Sequence, residues 1–167
     1  MLAKLFVTIL NTSPAVKRSL WKWWYQRLAN RGLDTDWSFM NYGFIPTNGS
    51  SKLILEEEVE KDRVFIQLYD YAASQIPIEG LNVLEVGSGR GGGASFLANH
   101  YNPTKMTGLD YSQSAVELSQ HLHKDVSNLL FVQGDAEALP FDKNTFDSVI
   151  NVESSHCYGN MAAFVKE

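Results

Sequence analysis

The chain has 167 residues, 44% hydrophobic and 20% charged, the ordinary range for one globular domain with a core of its own, and its single cysteine excludes an internal disulfide framework. The net charge of -5 is unevenly spread: residues 1–33 hold six of the 14 basic side chains and no acid, which leaves 8 basic against 19 acidic in the rest. An acidic body excludes nucleic acid as the main partner, because phosphate neutralisation needs clustered Lys and Arg.

In chain order, the apolar start Met1–Leu10 falls far short of the roughly 20 residues of a membrane span. It also lacks the charge pattern and cleavage site of a signal peptide. A cytoplasmic location is therefore expected. Ser13-Pro14 predicts a helix start and Gly32 its end. Between them Val16, Leu20, Trp23, Trp24 and Leu28 share one face, with Lys17, Arg18 and Lys22 elsewhere. Two readings stand for this helix: packing on the domain, or peripheral contact with an anionic membrane through its aromatic and basic residues. An aromatic, turn-rich stretch follows from Asp36 to Pro46. A helix is predicted over 53–74, with acids crowding its first turns.

From Leu81 the pattern becomes α/β. Short apolar runs predict strands at 82–86, 105–109, 129–132 and 147–152, with helices at 93–100 and 112–124. Ser112 is the expected N-cap of the second. Strands alternating with helices imply a Rossmann-like parallel sheet with flanking helices. The chain divides on this reading into an N-terminal helical and aromatic segment, 1–75, and a cofactor-binding domain, 76–167. The sheet is expected to lack its C-terminal strands. Strand four is then an exposed edge through which two copies could pair.

The strongest chemical signal is Glu85-Val-Gly-Ser-Gly-Arg-Gly-Gly-Gly93, between a strand and a helix. Glycines there permit a tight turn and a close ligand approach, and the next helix presents free N–H groups. Gly87, Gly89 and Gly92 also satisfy the dinucleotide fingerprint, and Asp110, 23 residues after Gly87, suits a ribose in either case. On the loop alone, a nicotinamide dinucleotide and another nucleotide cofactor both remain open.

Further along stand Gln133-Gly-Asp-Ala-Glu-Ala-Leu-Pro-Phe141 and Phe146-Asp-Ser-Val-Ile-Asn-Val-Glu153. These two segments resemble the third- and fourth-strand segments of class I S-adenosylmethionine-dependent methyltransferases. The resemblance implies that Glu85 organises the amino end of the cofactor, that Asp110 accepts from its ribose, and that Gly134, Asp135 and Ala136 bracket its adenine. Gly87, Ser88, Gly89 and Asn151 complete the expected cradle. Tyr111 is expected against the adenine or in the core, and Tyr42 over the cofactor.

Arg63-Val-Phe-Ile-Gln-Leu-Tyr69, Gly91-Gly-Gly-Ala-Ser95, Thr107-Gly-Leu-Asp110 and Asn151-Val-Glu-Ser-Ser-His-Cys-Tyr158 carry the likeness further. Together they resemble the phthiotriolone/phenolphthiotriolone dimycocerosates methyltransferase group, which O-methylates a long-chain lipid alcohol. Met40-Asn-Tyr-Gly-Phe44 matches the aromatic N-terminal stretch of that group and of related tocopherol and sterol methyltransferases. A hydrophobic small-molecule or lipid acceptor is implied. Activity needs strands that the group has beyond this length, so a cofactor-binding remnant without activity is the competing reading.

His156 and Glu153 follow strand four, where open α/β sheets bind ligands. His156 is the expected general base, since an imidazole titrates near neutrality, and Glu153 is expected to orient it or the acceptor. His121 and His123 are expected to face solvent beside Lys124. No metal site is expected, since His156 and Cys157 are adjacent rather than spaced as zinc ligands.

Overall fold

The computed structural model describes residues 16, 19, 20, 37–47 and 53–167. Val16, Ser19 and Leu20 are helical; the rest of the helix predicted between Ser13 and Gly32 lies outside the described residues. So does any membrane contact through it.

Four strands form the sheet: β1 (Asn82–Val86), β2 (Lys105–Asp110), β3 (Leu129–Gln133) and β4 (Ser148–Ile150). Their order is β3-β2-β1-β4 and all three pairings are parallel. Both central strands are buried along almost their whole length, which is why they read as near-continuous apolar runs. Within residues 53–167 four α-helices accompany them: α1 (Arg63–Ala73), α2 (Gly92–His100), α3 (Gln113–Leu122) and α4 (Met161–Lys166). Short 3-10 turns span Glu57–Asp62 and Ser155–Cys157.

Alternation along β1 divides the core. Val83 joins Ile66, Tyr69, Ala94, Leu97 and Met106 on the α1 and α2 face. Leu84 and Val86 join Leu109 and Ala136 on the other. Glu85 therefore points to the α1 face and is completely buried there. Ser112 caps α3 as expected, its Oγ accepting from the Ala115 N–H at 3.3 Å.

The helix predicted over 53–74 is shorter. Residues 53–56 are not helical, and the acidic run Glu57–Asp62 forms a 3-10 turn with no buried residue. Regular α-helix starts at Arg63, where the apolar stripe first meets the core. The predicted fourth strand contracts to Ser148–Ile150. Asp147 instead closes its start, donating its N–H to the Asn82 carbonyl and accepting the Asn82 N–H. Among the described residues β4 lies at the sheet edge, with Val149 54% exposed. No described helix is long and apolar enough to cross a membrane.

Chain order runs from β1 through β2 to β3 on one side and returns to β4 on the other. The strand order reverses at β1, and open α/β sheets bind ligands beyond the carboxyl ends of the strands at such a point.

Candidate active site

A cavity of about 130 Å³ opens at that switch point. Its floor is the turn after β1. Gly87 has φ 80°, and a Cβ there would lie 2.2 Å from Ser154 Oγ, so no side chain fits. Asp110 closes β2 at the cavity wall, where Oδ2 accepts the Gly89 N–H and Oδ1 the Ser112 N–H, each at 2.8 Å. The β3 exit supplies Gly134, Asp135, Ala136 and Glu137, and Tyr111 also lines the space. Asp135 Oδ1 accepts the Glu137 N–H at 2.9 Å, an Asx turn that holds the loop against the cavity.

The far wall comes from sequence-distant segments. Residues Ser38, Phe39, Met40 and Asn41 cross the mouth. This strap is tied at four points: the Gly92 N–H donates to the Ser38 carbonyl, Asn41 Nδ2 to the Phe65 carbonyl at 3.2 Å, the Tyr42 N–H to Glu153 Oε2 at 2.8 Å, and the Phe44 N–H to the Val64 carbonyl. Glu153 lines the cavity with a left-handed backbone, φ 52°. Ser154, Cys157 and Tyr158 complete this side.

Five amides of the glycine loop have partners within the protein. Gly87 and Ser88 donate to the Leu109 carbonyl, Gly89 to Asp110, Gly91 to the Ser88 carbonyl and Gly92 to Ser38. Gly93 lies against the Tyr69 ring, where a Cβ would stand 1.9 Å from Cζ. At the N-terminus of α2, the place a pyrophosphate would take in a dinucleotide site, the Gly92 amide is thus already engaged by the chain itself.

The methyltransferase domain family matches residues 83–167, half of the chain. The chain belongs to that family. It is 41% identical over 156 residues to a phthiotriol/phenolphthiotriol dimycocerosates methyltransferase of Mycobacterium tuberculosis, covering 93% of this chain and 57% of that protein. It is 43% identical over 143 residues to a fatty-acid O-methyltransferase of Mycolicibacterium smegmatis, covering 86% and 52%. The chain thus spans about half the length of the curated relatives it matches. Among solved structures, a phosphoethanolamine N-methyltransferase of Haemonchus contortus shares the fold with a TM-score of 0.58 at 19% identity, covering 85% of this chain and 26% of that one.

Electrostatics give this methyltransferase domain a marked preference. Four carboxylates line the cavity: Asp110, Asp135, Glu137 and Glu153. Arg90 also lines it, with its guanidinium 5.1 Å over the Trp37 ring. Glu85 lies beneath, its Oε1 accepting the Tyr69 hydroxyl at 2.6 Å and its Oε2 without a hydrogen-bond partner. Burial pushes the Glu85 carboxyl up to about 7; the Tyr69 hydroxyl pulls the other way, and the nearby Asp110 charge adds to the rise. Burial also raises Asp110, opposed by the Ser112, Gly89 and Tyr111 amides. Burial, with Glu85 alongside, pushes the Tyr69 phenol well above its ordinary range.

Gly87, Ser88, Gly89, Asp110, Tyr111, Gly134, Asp135, Ala136 and Glu153 all line the cavity. Four expected residues do not. Glu85 is separated from it by Tyr69. Asn151 supports the wall from behind, its Nδ2 shared among the Val86 carbonyl, Ser154 Oγ and Tyr158 Oη at 2.9, 2.7 and 2.9 Å. Tyr42 contributes its backbone, while its side chain is 91% exposed. His156 is exposed on the 3-10 turn outside the lining.

His123 corrects an expectation. It does not face solvent: its Nε2 contacts the Arg90 carbonyl at 3.1 Å and its ring packs on Phe131, because α3 ends at Leu122 and turns the chain inward. Burial lowers its pKa. Tyr69, Ser154 and Tyr158 escaped sequence reasoning as site residues. All three sit within quoted segments without marking themselves, Tyr69 at the end of Arg63–Tyr69 and the other two in Asn151–Tyr158.

Proposed function

We propose that this domain binds S-adenosylmethionine in the cavity and serves methyl transfer to the hydroxyl of a hydrophobic small molecule or lipid. The observation that carries the cofactor is the donor and acceptor set. Carboxylates outnumber cations along the lining, and five of the loop amides are engaged within the protein. That set suits a cationic nucleoside and repels a pyrophosphate. The nicotinamide reading loses its anchor for the same reason.

In this reading Asp110 accepts from the ribose hydroxyls with its remaining lone pairs. Asp135 and the Ala136 amide face the adenine. Glu85 acts near the amino end through the Tyr69 hydroxyl that it holds at 2.6 Å. When bound, the cofactor supplies an activated methyl on a sulfonium. The chain holds the acceptor oxygen in line and excludes water. The strap residues Phe39 and Met40 cover the mouth and provide apolar contact. Glu153, within the lining, is the better placed of the two expected catalytic groups to orient the acceptor or take its proton. His156 acts only if its loop turns inward.

The acceptor class rests on the relatives named above, one a methyltransferase of phthiotriol dimycocerosates and one of fatty acids. The domain-wide reading is tested by calorimetric titration with S-adenosylmethionine, with NAD in the same series. Micromolar binding of S-adenosylmethionine alone is expected. Binding of NAD alone overturns the assignment.

A further inference from the structure

Glu137 belongs to two places at once. It lies in the loop that leaves β3, directly after Asp135 and Ala136, and it lines the cavity. Its N–H is held by Asp135 Oδ1 at 2.9 Å. Its Oε1 accepts two backbone N–H groups from the opposite loop, Gly159 at 2.7 Å and Asn160 at 3.1 Å. Those amides end the segment that begins at Glu153 and carries Ser154, Cys157 and Tyr158 along the cavity wall. The start of that segment is tied separately, by Ser154 Oγ to the Val86 carbonyl at 2.9 Å and by Asn151 to Ser154.

From this bridge we infer that Glu137 is a positioning residue that couples the adenine-side loop to the acceptor-side loop, so that filling the cofactor site shapes the wall against which the acceptor binds. The inference rests on the cofactor reading above. The physical argument is short. A carboxylate accepting two amide N–H groups forms strong, charge-assisted bonds, and its placement depends on the backbone of residues 135–137. A ligand that holds Asp135 and Ala136 fixes that backbone, and the two bonds carry the restraint to Gly159 and Asn160. Positive cooperativity between cofactor and acceptor follows, because whichever ligand binds second meets a loop already ordered.

The test uses the full 167-residue chain and S-adenosylhomocysteine, with amide hydrogen exchange read residue by residue. In the unaltered chain the ligand should slow exchange at Ala136 and also, at least tenfold, at Gly159 and Asn160. In Glu137→Ala the ligand should still slow Ala136, while Gly159 and Asn160 lose the effect. Glu137→Gln, whose amide oxygen still accepts, should restore most of it. Amides of β1 and β2 serve as internal controls, since a variant that merely loosens the fold speeds those as well. Slowing at Ala136 without any at Gly159 and Asn160 in the unaltered chain overturns the coupling and leaves the cofactor reading intact. So does a Glu137→Ala chain that transmits it unchanged. No binding of S-adenosylhomocysteine by the unaltered chain defeats the cofactor reading itself.

Discussion

The two walls of the cavity are held in different ways. The wall of Gly87, Asp110 and Asp135 stands on the ends of paired strands. Each residue there sits next to backbone already fixed by the β1–β2 and β2–β3 ladders. The opposite wall is formed by Ser38–Asn41, which belong to no ladder, and by Glu153–Tyr158, which start three residues beyond the short β1–β4 pairing. It is held by isolated bonds between distant segments, such as Tyr42 to Glu153, 111 residues apart. The first wall suits an invariant ligand part, the second a variable one, because single bonds yield more readily than a sheet.

Four experiments break or sharpen that contrast. The largest effect is expected where the strand-end wall meets α1. Gly93→Ala drives a methyl into the Tyr69 ring with no flexible neighbour to yield, and should reach or exceed the upper end of the ~1–3 kcal/mol typical of overpacking. Urea unfolding measures it; an unchanged midpoint means that α1 can slide and that the junction is soft.

Glu85 makes the second prediction, through pH. Its carboxyl is raised from an ordinary 4.5 to about 7 by burial. The folded state therefore holds this proton more tightly than the unfolded state. The stabilisation is fully present below about pH 4.5 and is lost as pH rises to about 7, in total roughly 3 kcal/mol at 1.36 kcal/mol per pH unit. Unfolding midpoints should fall between pH 5 and pH 8, and Glu85→Gln should flatten that slope. An equally steep slope in the variant assigns the effect to other groups, Asp110 first.

Asp110→Ala comes third. Losing a charge-assisted hydrogen bond worth roughly 1.5–3 kcal/mol should weaken S-adenosylmethionine binding about 10- to 150-fold. Calorimetry reads it directly. Unchanged affinity would remove Asp110 from the ribose.

The smallest effect belongs to the second wall. Glu153→Gly relieves a left-handed backbone, of order 1 kcal/mol, and removes the acceptor of the Tyr42 N–H, which costs a similar amount. Net stability should shift by less than about 1 kcal/mol, while the Tyr42 amide loses its exchange protection. Loss of stability beyond that range would show the strap to be as firmly built as the strand ends.

Much of the first wall was legible without coordinates. The Gly87–Gly89 turn, Asp110 at the end of β2 and Asp135 after β3 occupy positions defined by local order, strand then turn then helix, and local order is written in residue spacing. Ser112 as the cap of α3 belongs to the same class. The second wall was legible only in outline. Met40 to Phe44 stood out as an aromatic stretch, but nothing local says that Ser38 meets Gly92 or that the Tyr42 backbone meets Glu153. His123 misled because its helix ends two residues before the expected place, and His156 lies outside the lining because proximity in sequence to strand four does not set the direction of a side chain.

By itself, then, the sequence determined the parallel sheet, the glycine turn after β1 and the acids at the strand ends, since hydrophobic period, chain reversals and glycine conformation act over a few residues. Only the tertiary structure decided that Tyr69 covers Gly93 and holds Glu85, that five of the loop amides find partners within the protein, and that Glu137 bridges to Gly159 and Asn160. Those outcomes depend on which distant backbone groups find one another once the core has closed, and a buried donor or acceptor left without such a partner would destabilise the fold.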